Sequence, residues 1–148
     1  MITNQGFNPK GFLRTLYHRL GVVGLKLFSD LSTKEKRVIR EAVEPVFEKY
    51  RFLKKKEVID EINEEQAAFC QKLEKVIAEL PIKESFLIKE RYLHPESDYI
   101  TDYQVYSFRY EPQISDQTYA RYRNRAMIRI ALYLGVETGV NIKIRSDN

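Results

Sequence analysis

Cysteine is nearly absent: Cys70 is the only one in 148 residues. That excludes an internal disulfide framework and a zinc site built mainly from thiolates. A lone cysteine on an apolar stripe is expected to be a small core residue. Histidine occurs only as His18 and His94, on different segments from each other and from Cys70. No Gly-rich phosphate loop and no convincing pair of carboxylates joins them, so no nucleophile–base or metal-ligand constellation emerges. The expectation is a protein that is not an enzyme and takes no cofactor and no metal.

Glycine (six) and proline (five) are scattered, and turn clusters are sparse. That favours long helices over a sandwich of short strands. Long apolar runs are missing too. The most apolar stretch, Phe12 to Phe28, is interrupted by Arg14, His18, Arg19 and Lys26 and is too short to span a bilayer. The start, Met1-Ile2-Thr3-Asn4-Gln5, lacks a basic region followed by an unbroken apolar run. A cytoplasmic protein with no membrane partner is expected.

What the chain has is charge, unevenly placed. Its residues are 43% hydrophobic and 31% charged, enough to bury one modest core under a heavily charged surface. Residues 1–56 carry 13 Lys and Arg against 5 Asp and Glu, a net +8, whereas residues 57–148 carry 12 against 16, a net −4. Inside that acidic part, residues 116–134 hold four Arg and one Asp, a net +3. Two basic zones thus flank an acidic one. Basic patches attract phosphate backbones, and they also occur on ordinary solvated faces.

Residues 11–28 have apolar positions at helical spacing (Phe12, Leu13, Leu16, Tyr17, Leu20, Val23, Leu27), weakened by Gly21 and Gly24. They read as a helix docked on the protein itself or on a second copy; a basic membrane-surface helix is the alternative. Ser32-Thr33-Lys34-Glu35 has the spacing of a capping box and should start the next helix. Pro45 should kink or break it, because proline removes a backbone donor and clashes with the preceding turn. The run Lys49-Tyr50-Arg51-Phe52-Leu53-Lys54-Lys55-Lys56 reads as a solvated helix end, with contact to DNA phosphates as the alternative.

From Val58 to Leu80, Ile59, Ile62, Phe69, Leu73, Val76 and Leu80 give a heptad-like seam if Gln66 is counted in it. A long helix in a bundle or against a symmetry mate is expected, so a homodimer stays open. Asp60, Glu61, Glu64 and Glu65 read as its solvated outer face. Pro81 should open another helix at its first turn, and His94-Pro95 should end it.

The C-terminal third carries the functional signal. Thr101 or Asp102 can cap a short helix through Phe108 or Arg109, and Pro112 ends it. Ser115 can cap a longer helix that runs to about Leu134, where Gly135 stops it. Short helix, turn and longer basic helix are the parts of a DNA-reading helix-turn-helix. On the last helix Tyr119, Tyr122, Ala126, Ile130 and Tyr133-Leu134 should face inward. Ser115, Gln117, Thr118, Arg121, Asn124 and Arg125 should face outward as the DNA-binding residues. Arg donates twice to guanine, Asn and Gln bond adenine bidentately, and Thr meets a phosphate or a thymine methyl. Backbone amides beside Ser115 and Asp116 can hold a phosphate. Asp116 either favours the helix dipole or repels the wrong base.

At these residues the chain resembles the ArpU family of phage transcriptional regulators. The resemblance lies in Leu80-Pro81, Leu87-Ile88-Lys89-Glu90-Arg91-Tyr92-Leu93, Thr101-Asp102-Tyr103-Gln104-Val105, Ile114-Ser115 with Thr118-Tyr119-Ala120-Arg121, and Ala126. It covers about residues 34–140 and is strongest from about 80 to 138. The same stretch is similar to region 4 of sigma factors, a promoter-binding helix-turn-helix. The resemblance implies a regulator of phage or prophage late genes for packaging or lysis.

The expected architecture is all-α, a helical bundle with a C-terminal sigma-region-4-like helix-turn-helix. Residues 1–31 would form an N-terminal helical extension, 32–79 a bundle or dimer arm, 80–138 the DNA-binding domain, and 139–148 a tail. The expected partner is double-stranded DNA. Competing readings are a packaging or assembly protein and an RNA-polymerase-binding adaptor that uses the helices for protein contacts.

Overall fold

The computed structural model describes residues 31–140 and residue 142. The expected helix over residues 11–28 and most of the 139–148 tail lie outside the described residues. Within them the fold is all-α, with no strand. The helices are α1 (Thr33–Ile59), α2 (Glu64–Ala78), α3 (Ile82–Arg91), α4 (Asp102–Gln104, continued by a π-helical turn over Val105–Arg109) and α5 (Asp116–Leu134). A 3₁₀ turn at Ser97–Tyr99 joins α3 to α4.

The helix starts follow local chemistry. The Ser32 hydroxyl accepts from the Glu35 amide at 3.1 Å, and the Ser32 amide donates to the Glu35 carboxylate at 3.0 Å. The same reciprocal box recurs at Asn63–Gln66 and at Thr101–Gln104. Each satisfies two amides that a helix start leaves without partners.

Two expectations need correcting. First, of the kink or break expected at Pro45, the break does not occur: α1 runs through it. Ile39, Val43 and Phe47, on both sides of the proline, are completely buried. Burying such side chains contributes about 1.5–3 kcal/mol each, which outweighs the roughly 3 kcal/mol that an interior proline costs. Pro45 and Glu41, whose carbonyl loses its donor, both lie on the exposed face.

Second, no single helix runs from Val58 to Leu80. The chain leaves α1 after Ile59 and re-enters a helix at Glu64. Gln66, counted as part of an apolar seam, instead caps α2: its side chain accepts from the Asn63 amide at 3.0 Å. Val58 and Ile59 are 86% and 87% exposed, so the buried stripe of this region begins only at Cys70 and continues through Leu73, Val76, Ile77 and Leu80. Cys70 is a buried core residue, as its apolar setting implied.

One core runs through all five helices. It joins Ile39, Val43 and Phe47 of α1, Leu73 and Val76 of α2, Leu87 and Ile88 of α3, Val105 of α4, and Met127 and Ile130 of α5. Phe47 stacks on Tyr92 with ring centroids 5.1 Å apart. Helices α1 and α3 both pack on α5, so its second half is enclosed: every residue from Ala126 to Ala131 is buried. The expected inward face is there along the whole of α5: Tyr119, Ala126, Ile130 and Tyr133 are buried, and Tyr122 and Leu134 pack against the core. What the pattern did not show is that from Ala126 to Ala131 the other sides of the helix are buried as well.

Candidate nucleic-acid interface

Helices α4 and α5 are joined by Tyr110–Ser115, a turn that contains no glycine and no residue with positive φ. Packing holds it. The π-helical turn ends with the Tyr110 amide donating to the Val105 carbonyl at 3.3 Å. Tyr110 is only 6% exposed, and its hydroxyl donates to the Lys83 carbonyl at 2.7 Å. Its ring meets Phe86 edge-on at 4.7 Å. The Ile114 amide donates back to the Tyr106 carbonyl at 3.1 Å, closing the reversal. A buried aromatic anchor here does the work a glycine turn does elsewhere.

Asp102 sets the angle between the helices. One carboxylate oxygen accepts from Arg91 Nε of α3 at 2.9 Å and from the Tyr119 hydroxyl of α5 at 2.7 Å. The other accepts from Arg123 Nη1 of α5 at 3.3 Å. Three helices thus converge on one side chain. Burial and the bond to Asp102 push the Tyr119 hydroxyl far above the usual phenol range, so it stays a donor at any physiological pH. Tyr92, beside this cluster, is pushed up to about 12 by burial. A second tie, Arg129 to Glu84, lies buried between α5 and α3. Burial pushes the Glu84 carboxyl up, and Arg129 opposes that shift.

These ties sort the arginines of α5 into two sets. Arg123 and Arg129 are spent on Asp102 and Glu84, and their side chains are 17% and 9% exposed. The basic zone read from charge counting is therefore partly neutralised within the fold. Arg121 is exposed and Arg125 half-buried, and neither meets a carboxylate at ion-pair distance among the described residues. Arg121 lies beside the Tyr122 ring, 5.9 Å from its centroid.

Gln117 and Arg121 are exposed, and Asn124 is half-buried. Their spacings of four and three put them on one face of α5, opposite the buried Tyr119 and Ala126. At 1.5 Å per residue that face spans about 10 Å, or about three base-pair steps. Thr118 and Arg125 flank it, both half-buried.

Ser115 caps α5: its hydroxyl accepts from the Thr118 amide at 3.1 Å and donates to the Thr118 hydroxyl at 3.0 Å. The Asp116 carboxylate accepts from the Gln117 amide at 2.8 Å. Of the two roles open to Asp116, this geometry realises the favourable one at the positive end of the helix. It also means that the amides of Gln117 and Thr118 are already satisfied by side chains, so the helix start is less of a phosphate cradle than its sequence suggested.

Sequence reasoning missed the Asp102 cluster. Asp102 was legible only as a capping candidate, and nothing local marks Arg91, Tyr119 and Arg123 as its partners. His94 is used locally, its Nδ1 accepting from the Glu96 amide at 3.1 Å. Among the described residues no group of three His, Cys, Asp or Glu is placed to hold a metal ion. No described helix is long and apolar enough to cross a membrane. No protein-family model, no curated protein and no solved structure matches the chain.

Proposed function

We propose that this chain is a sequence-specific, double-stranded-DNA-binding transcriptional regulator, with the first half of α5 as its recognition helix. The supporting observation is the arginine sorting on α5. The helix ties two arginines into its own fold and leaves Arg121 exposed beside Gln117, with Asn124 on the same face. A recognition helix meets base edges with its N-terminal residues, and it is in this half of α5 that Asp116, Gln117 and Arg121 are exposed. Arg121, Gln117 and Asn124 supply the donor and acceptor sets that major-groove reading uses. Thr118, Arg125 and Ser115 flank them as phosphate contacts. The assignment to phage or prophage late genes for packaging or lysis rests on the resemblance of residues 80–138 to the ArpU family.

Selection of bound fragments from a phage genome tests this reading, followed by affinity measurements for wild type and for Arg121→Ala with Arg125→Ala at two salt concentrations. A shared site, bound at least tenfold more weakly by the double variant, is the expected result. Binding indifferent to sequence with a steep salt slope would favour a packaging or assembly role.

One observation favours a second reading, the polymerase-binding adaptor. Tyr99, Tyr103 and Phe108 are 84%, 57% and 70% exposed, and the rings of Tyr103 and Phe108 lie 5.8 Å apart. Exposed aromatic clusters suit protein contacts. Co-purification with RNA polymerase in the absence of DNA, lost in Phe108→Ser, would separate this reading from the first.

A further inference from the structure

The junction between α1 and α2 is another place where large apolar side chains stand in solvent. Phe52, Val58 and Ile59 are 66%, 86% and 87% exposed. Phe52 and Ile59 are seven residues apart and share a face of α1. Past Ile59 the chain turns and leaves an open cleft of about 600 Å³ between the end of α1 and the start of α2, lined by Val58, Ile59, Ile62 and Ala67 with Glu57, Asp60 and Glu61. The surface is therefore two unlike halves side by side. One is a protruding aromatic ring next to Lys55 and Lys56. The other is an apolar hollow with carboxylates around it.

The charges are free to act outward. Lys55, Asp60 and Glu61 are exposed, and none of them forms an ion pair among the described residues. Lys54 is different: it turns back onto Glu57 and Glu74 of its own chain. Single apolar residues on a surface are ordinary, but a knob and a hollow with opposite charges are not. A surface that carries both members of a complementary pair can meet itself about a two-fold axis.

We propose that this α1–α2 junction is an isologous interface that pairs two copies of the chain. Phe52 of each copy enters the hollow of the other, over Ile59 and Ile62. Lys55 and Lys56 of each copy face Asp60 and Glu61 of the other. Only Ile59 and Ile62 of the heptad-like seam that the sequence suggested take part, because Leu73, Val76 and Leu80 are consumed by the chain's own core. The pairing does not depend on what α5 binds.

Sedimentation equilibrium of the full-length protein without DNA tests it. Wild type is expected at the mass of two chains. Ile59→Asp is expected at the mass of one chain, with an unchanged helical circular dichroism spectrum because Ile59 is 87% exposed. Two charge reversals make the test specific. Lys55→Glu with Lys56→Glu, and separately Asp60→Lys with Glu61→Lys, should each weaken self-association at least tenfold, and an equimolar mixture should recover a two-chain species. Wild type at the mass of one chain, a dimer indifferent to Ile59→Asp, or failure of the mixture to recover pairing would overturn the proposal. Protection of Ile59 by residues 11–28 of the same chain would show as a one-chain mass for wild type and would overturn it equally.

Discussion

Arg123 and Arg121 sit two positions apart on the same helix and have opposite fates. Arg123 reaches back to Asp102, while Arg121 stays exposed with only the Tyr122 ring beside it. Arg129 and Arg125 differ more by degree: Arg129 is buried in an ion pair with Glu84, whereas half-buried Arg125 forms no ion pair at contact distance among the described residues and acts on Glu84 through its charge alone. Arg121 and Arg123 are a step of two residues apart, which turns a side chain by roughly 200°, so one faces away from the bundle and the other toward it. Arg125 and Arg129 are four apart and share a face, and they differ in how far along α5 they sit, Arg125 half-buried and Arg129 buried. The lesson is that net charge on a helix is not available charge. Of four arginines between Asp116 and Leu134, two are tied to carboxylates of the fold and two form no ion pair among the described residues.

That division makes separable predictions. Arg129→Met should have the largest effect, because it leaves the Glu84 carboxylate buried without its partner; such broken pairs cost about 3–5 kcal/mol. A urea titration should show the midpoint fall with little change in slope. Replacing both partners, Arg129→Met with Glu84→Gln, should recover part of that loss, and no recovery would mean that Glu84 is not the group that suffers.

Asp102→Ala comes next. It frees Arg91, Tyr119 and Arg123 together, but the cluster is partly open to solvent, with the Asp102 side chain 39% exposed. A loss of about 1–3 kcal/mol in stability is expected. It should also weaken DNA binding, since the clasp that orients α5 is gone. Retained affinity in Asp102→Ala would break the link between fold and recognition.

Arg121→Ala inverts the pattern. Unfolding should shift by no more than about 0.5 kcal/mol, while affinity for the preferred duplex falls by roughly 1–3 kcal/mol. A thermal melt and a binding isotherm on the same preparation decide it. Should Arg121→Ala destabilise the fold instead, the contrast between the two arginine sets would collapse. The smallest effect belongs to Ser115→Ala, where removing the cap should cost about 1 kcal/mol of stability. Ser115→Asp, which keeps an acceptor at the cap, should restore most of it in the same melt.

Much of the fold was legible in the residues. Ser32, Thr101, Ser115 and Gly135 marked helix ends correctly, because capping is a contact between residues a few positions apart. The all-α class followed from sparse turn residues and helical spacing. Pro45 and the stretch from Val58 to Leu80 misled for different reasons. At Pro45 a local preference worth a few kcal/mol was outweighed by the packing of Ile39, Val43 and Phe47. At Asn63 a local capping box, with Gln66 as its second member, starts a new helix where the apolar spacing was read as one continuous seam. The candidate site was legible as a list of outward-facing residue types on α5. Which of its arginines were free was not, and neither was the enclosure of its second half.

The difference lies in range. A residue and its neighbours three or four positions away determine where a helix starts, where it stops and which side chains share a face, and the amino-acid order contains all of that. The Asp102–Arg123 and Glu84–Arg129 ties join positions 21 and 45 residues apart. Only the packing of α3 and α4 on α5 brings those groups within reach, and that packing alone decides which charges are consumed inside the protein and which remain for a partner.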